Sequence, residues 1–378
     1  MTAAERISRT SKTCPELDAE DLHTWVEVKL TALAGDAGRK IHTARSRNDQ
    51  VATLLKLYVI DAGERLAADL AKLSSLFCRR VEAWSELVFP LQTHTQFAAP
   101  GTVGFWVMRY ATALDRVRRR VRAAVALWRE ECPLGSGAVA GSSIPLNREI
   151  QARELGFVRP SRNALDSTTC RDEVLDWLAL ATQAALHLQS FATDVIAFSQ
   201  TQPGWTKYPR AFATGSSMMP NKLNPDAMEL LRGECCYVAA AHGQAVLLLK
   251  GLPSGYNRDL QCIKPVLRGA VERLQTMLCM TTAFVEQLDF DRERLAASLS
   301  LGQIGATLRM EQKVLDGLPL RTAHHAVAEE LLAAGAKDDA AWASRVELYL
   351  TSGGAGPSQT RVEAAALLAE LRKDHPGL

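Results

Sequence analysis

The chain has 378 residues, which allows two or three domains of about 100–200 residues each, or one large elongated helical body. Hydrophobic residues make up 47% and charged residues 23%, and this composition excludes a largely disordered protein. The net charge of +2, from 44 basic and 42 acidic residues, argues against a nucleic-acid-binding protein, whose domains are usually strongly basic.

Targeting signals and metal-binding patterns are not evident in the sequence. The first six residues contain no apolar core of a signal peptide, and no apolar run approaches the roughly 18–20 residues of a membrane span. None of the eight cysteines forms a CxxC pair, and a chain of this length does not need disulfides. We therefore expect a cytoplasmic protein with reduced, mostly buried thiols and no contact with a membrane.

Helical periodicity dominates the first half of the chain. A long helix is predicted over 51–83, because apolar residues recur there every three or four positions. A second helix is predicted to follow Pro100-Gly101 and to end near Cys132-Pro133, since proline disfavours helix in the residue before it. Residues 133–169 are rich in turn-forming types. Their glycines follow no predicted strand and open no helix, which argues against a dinucleotide-binding fingerprint.

Three more long helices are predicted at 169–199, 224–250 and 265–288, with an irregular stretch at 201–224. The fourth helix has a clear start, because Asn224 is a good N-cap and Pro225 suits the first helical position. Shorter helices are predicted at 303–316, 319–334, 338–349 and 361–373. The five long helices exceed the usual mean length of about 11–12 residues, and several are apolar over a wide arc. We therefore expect an all-α fold with a long central bundle that is covered by other subunits.

Two polar segments adjoin predicted helix starts. Residues 215–225, GSSMMPNKLNP, offer hydroxyls, a lysine and backbone amides to an anion, although an ordinary surface loop has a similar composition. Residues 42–50, HTARSRNDQ, place two arginines just before a long helix, and arginine suits carboxylates. A solvated, N-capped helix start is the alternative interpretation of this second segment.

Two further polar segments lie between predicted helices. His94, within residues 92–96, is a candidate general acid or base, although a single loop histidine is more often unremarkable. Residues 255–264 carry Tyr256, Gln261 and Lys264, which suit a polar substrate; a charged connection between helices is the alternative.

Together these segments resemble the fumarase/aspartase superfamily and, within it, the argininosuccinate lyases. Residues 215–225 match the superfamily pattern GSSxMPxKxNP in full, and residues 42–53, 162–167 and 249–261 resemble motifs of that subfamily. The resemblance extends from about Asp21 to Glu329. It implies a fumarase/aspartase-like fold with a reduced N-terminal domain and substrate-binding loop (1–50), a central bundle carrying the catalytic loops (51–289) and a small helical C-terminal domain (290–378).

The resemblance also implies a reaction. The family would eliminate fumarate from argininosuccinate and release L-arginine, the last step of arginine biosynthesis. Ser216 would remove the β proton, Lys222 and Asn224 would hold the carboxylate that gains charge, and His94, oriented by Glu229, would protonate the leaving nitrogen. Whether Ser216 or His94 is the base stays open. The implied substrate-binding residues are Ser46, Arg47, Asn48, Thr93, Tyr256, Gln261 and Lys264. No metal or organic cofactor is needed, and three subunits of a homotetramer would build each site.

Three departures from the family pattern keep alternatives open. Only residues 1–20 precede the Asp-x-His motif at 21–23, so a segment that grips the arginine end of the substrate is expected to be missing, unless the start codon is misplaced. Near His94, Phe97 and Ala99 stand where arginine and glutamine are common. The alternatives are a lyase that releases fumarate from another N-succinyl compound, and a catalytically silent, crystallin-like structural homologue.

Overall fold

The computed structural model describes residues 21–334 and 339–377. The described residues form two compact units. The first unit comprises those of Met1–Ile60, Ala126–Glu173 and Leu249–Gln261, and the second comprises those of Asp61–Val125, Val174–Leu248 and Cys262–Leu378. The domain boundaries near residues 50 and 290 stay predictions.

Helices make up most of both units. In chain order they are α1 (Leu22–Ala34), α2 (Asp36–Arg39), α3 (Arg47–Trp84), α4 (Val103–Trp128), α5 (Arg148–Glu154), α6 (Ala164–Thr169), α7 (Asp172–Ser199), α8 (Asp226–Leu249), α9 (Ile263–Gln287), α10 (Arg292–Ser298), α11 (Ala306–Leu315), α12 (Leu320–Ala334), α13 (Asp339–Ala343) and α14 (Pro357–Asp374). Short 3-10 turns occur at Lys40–His42, Arg210–Phe212, Arg258–Cys262 and Val346–Leu348.

The strands are short and pair in twos. They are β1 (Val88–Thr93), β2 (Gln96–Thr102), β3 (Glu131–Cys132), β4 (Arg159–Pro160), β5 (Thr206–Lys207), β6 (Thr214–Gly215), β7 (Leu223–Asn224) and β8 (Asp289–Phe290). The pairs β1–β2, β5–β8 and β6–β7 are antiparallel, and β3–β4 is parallel.

The predicted all-α class and the five long helices, α3, α4, α7, α8 and α9, are confirmed. The ends of α3 and α7 fall within four residues of their predicted positions, because apolar periodicity covers most of both helices. The predicted helix at 338–349 is wrong: α13 ends at Ala343, and only a 3-10 turn follows. The short helices α1, α2, α5, α6 and α10 were not predicted.

The core of the second unit contains an aromatic cluster. The Trp106 ring lies 5.4 Å from Tyr110 and 5.8 Å from Phe191, and Phe77 lies 5.4 Å from Phe191, as measured between ring centroids. The Trp106 indole nitrogen donates to Asp194 at 2.8 Å, and the Tyr110 hydroxyl donates to the same carboxylate oxygen. These contacts stabilise the packing of α3 against α4 and α7, since each aromatic pair adds roughly 0.5–1.5 kcal/mol to the free energy gained by burial.

The β1–β2 hairpin separates α3 from α4, where only a polar loop was predicted. Thr93 pairs with Gln96, so His94 and Thr95 form a two-residue turn, with φ of 54° and 60° respectively. Positive φ at both positions is the geometry that matches the twist of paired strands. The hairpin thus places His94 at an exposed tip.

Two further expectations concern thiols and membranes. Cys78, Cys132 and Cys235 are buried, but Cys236, Cys262 and Cys279 are exposed, so the expectation of mostly buried thiols is wrong for the described residues. Cys14 lies outside the described residues. Within those residues, none of the helices is long and apolar enough to cross a membrane.

Candidate functional site

The predicted site residues fall in both units. The first unit holds Ser46, Arg47, Asn48, Tyr256 and Gln261, and the second holds Thr93, His94, Ser216, Lys222, Asn224, Glu229 and Lys264. Each group is described within its own unit.

The segment 215–225, here called the serine loop, is closed by a pair of short strands. Thr214 pairs with Asn224, and Gly215 pairs with Leu223. Ser216 therefore directly follows one strand, and Lys222 directly precedes the other. Antiparallel pairing brings these two residues to the base of the same loop.

The Ser216 hydroxyl is held by its own loop. Its Oγ accepts hydrogen bonds from the backbone N–H groups of Met218 at 3.3 Å and Met219 at 3.0 Å. Donors directed at an oxygen favour its anionic form over its neutral form. The arrangement thus supplies part of the assistance that a serine needs to act as a base.

The other predicted site residues of the second unit lie near the start of α8, at the tip of the hairpin or at the start of α9. Lys222 and Glu229 are exposed, and Asn224 is half-buried in β7. Thr93 and His94 are exposed at the tip of the β1–β2 hairpin, and Lys264 is partly buried in the first turn of α9. The predicted orientation of His94 by Glu229 stays a prediction.

Two residues that fix the start of α8 were missed. The Tyr208 hydroxyl accepts a hydrogen bond from the Met228 amide at 3.3 Å, and Thr214 donates to the Asp226 carboxylate. Burial raises the pKa of Tyr208 to about 12, so its hydroxyl stays neutral at physiological pH. Only the Pro225-Asp226 helix start was visible in the sequence; Tyr208 precedes it by 17 positions and gave no local signal.

In the first unit, each nitrogen of the Arg47 guanidinium donates a hydrogen bond to protein. Its nitrogens donate to Asp21 at 3.0 Å, to Gln50 at 2.9 Å and to Thr24 at 2.9 Å. Three directed bonds fix the planar group more firmly than a single contact would. In this chain Arg47 therefore ties the start of α3 to the start of α1.

Asp49 is the residue that organises the same segment, and it was not singled out from the sequence. Its buried carboxylate accepts from the Ser46 amide at 3.0 Å through one oxygen. The other oxygen accepts from the amides of Gly135 at 3.0 Å and Gly137 at 2.9 Å. Because a buried carboxylate needs such donors, Asp49 joins the Ser46–Asn48 stretch to residues 135–141, here called the glycine-rich loop.

The glycine-rich loop is shaped to make these bonds. Gly135 has φ of 87° and Gly137 has φ of 62°, a region that favours glycine. A Cβ on Gly137 would lie 2.6 Å from the Gly141 carbonyl oxygen. The Asn48 side chain also donates to the Ala138 carbonyl at 3.1 Å. Nothing local in the sequence connects Asp49 with glycines more than 80 positions away.

Tyr256 and Gln261 are brought together, with the Gln261 amide donating to the Tyr256 hydroxyl. Two buried charged groups lie in the same unit. Burial lowers the pKa of Arg171, against the opposing influence of Glu173, Cys170 and Tyr256. Burial likewise raises the pKa of Glu173, which Lys56 partly offsets. In the described part of the chain, His, Cys, Asp and Glu side chains form no group of three suited to holding a metal ion.

Several solved structures superpose on this chain over most of its length. EDDS lyase in complex with formate superposes with a TM-score of 0.85 at 21% identity, over 99% of this chain and 80% of that one. The 3-carboxy-cis,cis-muconate lactonizing enzyme from Pseudomonas putida gives 0.74 at 22% identity, over 98% and 85%. A fumarate lyase:delta crystallin from Brucella melitensis, bound to cobalt, gives 0.69 at 18% identity, over 91% and 72%.

Sequence comparison identifies the family. The family model described as lyase matches residues 6–240, more than half of the chain. This region contains His94 and the whole serine loop. The fold is the helical fumarase/aspartase-like one, and the chain belongs to this lyase family.

Proposed function

We propose that the chain is an argininosuccinate lyase, a carbon–nitrogen lyase that eliminates fumarate from argininosuccinate and releases L-arginine. The observation that carries the proposal is the serine loop. Its Ser216 hydroxyl accepts two backbone N–H bonds, and Lys222 lies at the base of the same loop. This is the arrangement that removal of a weakly acidic proton next to a carboxylate requires.

In the proposed reaction Ser216 removes the β proton of the succinyl group. The carboxylate next to that carbon gains negative charge as the C–H bond breaks. Lys222 and Asn224 stabilise this charge, which is greater in the transition state than in the bound substrate. His94 then donates a proton to the departing nitrogen, and the C–N bond breaks to give fumarate.

We propose that the remaining predicted residues hold the substrate. Ser46, Asn48 and Thr93 bind its carboxylates and amino-acid atoms, while Tyr256, Gln261 and Lys264 contact the rest of the molecule. Arg47 belongs to this set through its charge and through its bonds to Asp21, Thr24 and Gln50, which keep the segment in one conformation. No metal or cofactor takes part in the proposed reaction.

We further propose a cytoplasmic homotetramer in which three subunits build each site. Exposed apolar side chains on α8 support this assembly, since Leu230, Tyr237 and Leu247 are 68%, 59% and 72% exposed in one chain. Apolar surface of this kind on a long bundle helix is typical of a subunit interface. The exposure of His94, Lys222 and Glu229 is consistent with a site that neighbouring copies complete. Light scattering would measure the assembly, and a monomer would contradict it.

The test is release of fumarate from argininosuccinate and from a panel of other N-succinyl compounds, followed by absorbance at a wavelength that fumarate absorbs. Argininosuccinate should be turned over, and Ser216→Ala should lower kcat by about 10²–10⁴-fold. Ser217→Ala is the matched control, because this exposed neighbour accepts no such hydrogen bond within the described residues. A folded tetramer that releases no fumarate from argininosuccinate would contradict the proposed substrate.

A second candidate is a lyase that releases fumarate from a different N-succinyl compound. It is favoured by the surroundings of His94. The Phe97 ring lies 6.1 Å from the Trp205 ring and packs against Gly302, so an apolar contact occupies a position where an arginine was expected. Preference for another compound in the panel would support this candidate. The absence of turnover with every compound would favour the silent, crystallin-like homologue.

A further inference from the structure

A cavity of about 750 Å³ lies in the second unit between α4 and α14. One face of α4 and one face of α14 form its walls, and the turn at 352–354 and a residue of α7, His187, complete the lining. Its volume falls in the range of small-molecule sites, about 300–1,000 Å³. None of its lining residues belongs to the predicted catalytic or substrate-binding set.

Ion pairs hold α14 at both of its ends. Near the start of the helix, Arg361 pairs with Glu82 at 3.4 Å and with Glu86. Near its end, Asp374 pairs with the buried Arg118 at 2.7 Å and with Arg122. Because both ends are fixed to the bundle, the middle of α14 does not close onto α4. The cavity is therefore part of the architecture.

Opposite charges face each other across this cavity without meeting. Arg109 and Arg116 lie seven residues apart on α4, and Glu363 and Glu370 lie seven residues apart on α14. Seven residues of helix span about 10 Å, so each pair forms one row along its wall. No ion pair links the two rows in the described parts of the chain.

In each row, one residue is hydrogen-bonded to protein and the other is not, in the described part of the chain. Arg109 donates to the Ser190 hydroxyl at 3.1 Å, and Glu363 accepts from the Ser352 hydroxyl at 3.3 Å. Arg116 and Glu370 make no hydrogen bond or ion pair with the residues that the structure describes. Asp115, which also lines the cavity, is already paired with Arg118 and Arg119. One cation and one carboxylate thus stay available on opposite walls.

His187 lines the same cavity as the arginine row. Burial lowers the pKa of His187, and the positive charges of Arg116, Arg109 and Arg120 lower it further. A bound anionic group next to this wall would relieve the repulsion between the cations.

We propose that this cavity binds a small zwitterion, with its carboxylate held by Arg116 and its ammonium group held by Glu370. Apolar side chains on the same walls, Phe105, Met108 and Leu367, contact the carbon chain between the two charges. A dicarboxylate would be repelled by the glutamate row, and a diamine by the arginine row. The ligand class is therefore an amino acid with separated charges.

The test is calorimetric titration of the full-length protein with a series of ω-amino acids from glycine to 8-aminooctanoate. We expect saturable binding of one molecule per chain, tightest for the length that spans the cavity. The N-acetyl derivative and the methyl ester of that ligand each lack one charge and should bind at least about tenfold more weakly. The His187 ring signals in an NMR spectrum, assigned with His187→Gln, should shift with the same saturation curve.

Charge variants locate the site. Arg116→Gln and Glu370→Gln should each weaken binding at least about tenfold, and the reversed pair, Arg116→Glu with Glu370→Arg, should recover part of the loss. Arg120→Gln is the matched control, because Arg120 is on the same helix but donates to Gln183 and does not line the cavity. Absence of saturable binding, equal affinity for a dicarboxylate, or unchanged affinity in both single variants would overturn the proposal.

Discussion

The start of α3 and the serine loop are both polar, but they differ in how their polar groups are used. In the first, Arg47 makes three hydrogen bonds to protein, and the Asp49 carboxylate accepts three more. In the serine loop, only the Ser216 hydroxyl is held by backbone amides, and Lys222 projects from an exposed position. The first region is bound almost entirely to the protein, whereas the second leaves its charge available.

This difference indicates which polar groups stabilise the fold and which are available for a reaction. Polar groups that are satisfied within the fold contribute to its free energy and fix its geometry before any ligand arrives. The Lys222 side chain makes no such bond within the described residues, so it contributes little to folding. In the proposed function its charge is available to the carboxylate that gains charge during the reaction. The two regions should therefore respond in opposite ways to loss of a charged side chain.

After Ser216→Ala, the largest effect is expected for Lys222→Ala. If Lys222 stabilises the developing carboxylate charge, kcat for fumarate release should fall about 10²–10³-fold. The free energy of unfolding should change by less than about 0.5 kcal/mol, because the side chain is exposed. Steady-state kinetics and urea unfolding measure the two quantities. Lys222→Arg keeps the charge and should recover part of the activity; full activity of the alanine variant would remove the proposed role.

A smaller effect, on stability, is expected for Asp49→Ala. Loss of the carboxylate leaves the amides of Ser46, Gly135 and Gly137 without their acceptor, so the free energy of unfolding should fall by about 3 kcal/mol. KM should rise as the Ser46–Asn48 stretch loosens. Asp61→Ala, an exposed position on the same helix, should change stability by less than about 0.5 kcal/mol. Equal losses in the two variants would show that the glycine-rich loop does not depend on Asp49.

The smallest effect is expected at Glu173, a buried carboxyl of the same unit. Burial raises its pKa above the ordinary 4.5. The folded state therefore holds this proton more tightly than the unfolded state, and the free energy of unfolding falls as the pH rises through that range. Glu173→Gln should be more stable than the parent by about 1 kcal/mol at pH 7, with the gain absent below about pH 4.

Urea unfolding at several pH values measures this difference. Asp172→Asn, at the exposed neighbouring position in the first turn of α7, is the control and should not raise the free energy of unfolding. A Glu173→Gln variant that is less stable at pH 7 would mean that the charged form is needed as a partner for Lys56 or Arg171.

The long helices were predictable because their cause is local. Apolar residues at three- and four-residue spacing define α3 from Val51 onward, and its end at Trp84 lies one residue from the predicted position. The serine loop was predictable for a similar reason, since glycine, proline and serine occur together before a helix start. Its closure by the β6–β7 pair was not, because two-residue strands leave no pattern.

The β1–β2 hairpin was missed because its sequence opposes strand prediction. Pro90 and Pro100 face each other in the ladder, and proline usually argues against a paired strand. A bulge between Leu91 and Gln92 also breaks the alternation of side chains. The turn, His94-Thr95, lacks the glycine or asparagine that normally marks such a turn.

The partners of Asp49 were hidden for a different reason. They are backbone amides of Gly135 and Gly137, and backbone groups carry no sequence signature of their own. The glycines were visible, but only as turn residues. Their relation to Asp49 depends on tertiary structure, which joins positions that are 86 and 88 residues apart.

The backbone strain at the tip of the β1–β2 hairpin affects what a screen for heat resistance would select. Non-glycine residues in the left-handed region cost about 1–2 kcal/mol each, and a β-branched residue such as Thr95 is poorly suited to it. A library screened for heat resistance alone would therefore favour glycine at position 95. That replacement would relax the backbone that aims the His94 ring, so the most heat-resistant clones would be enriched in chains with a less ordered imidazole.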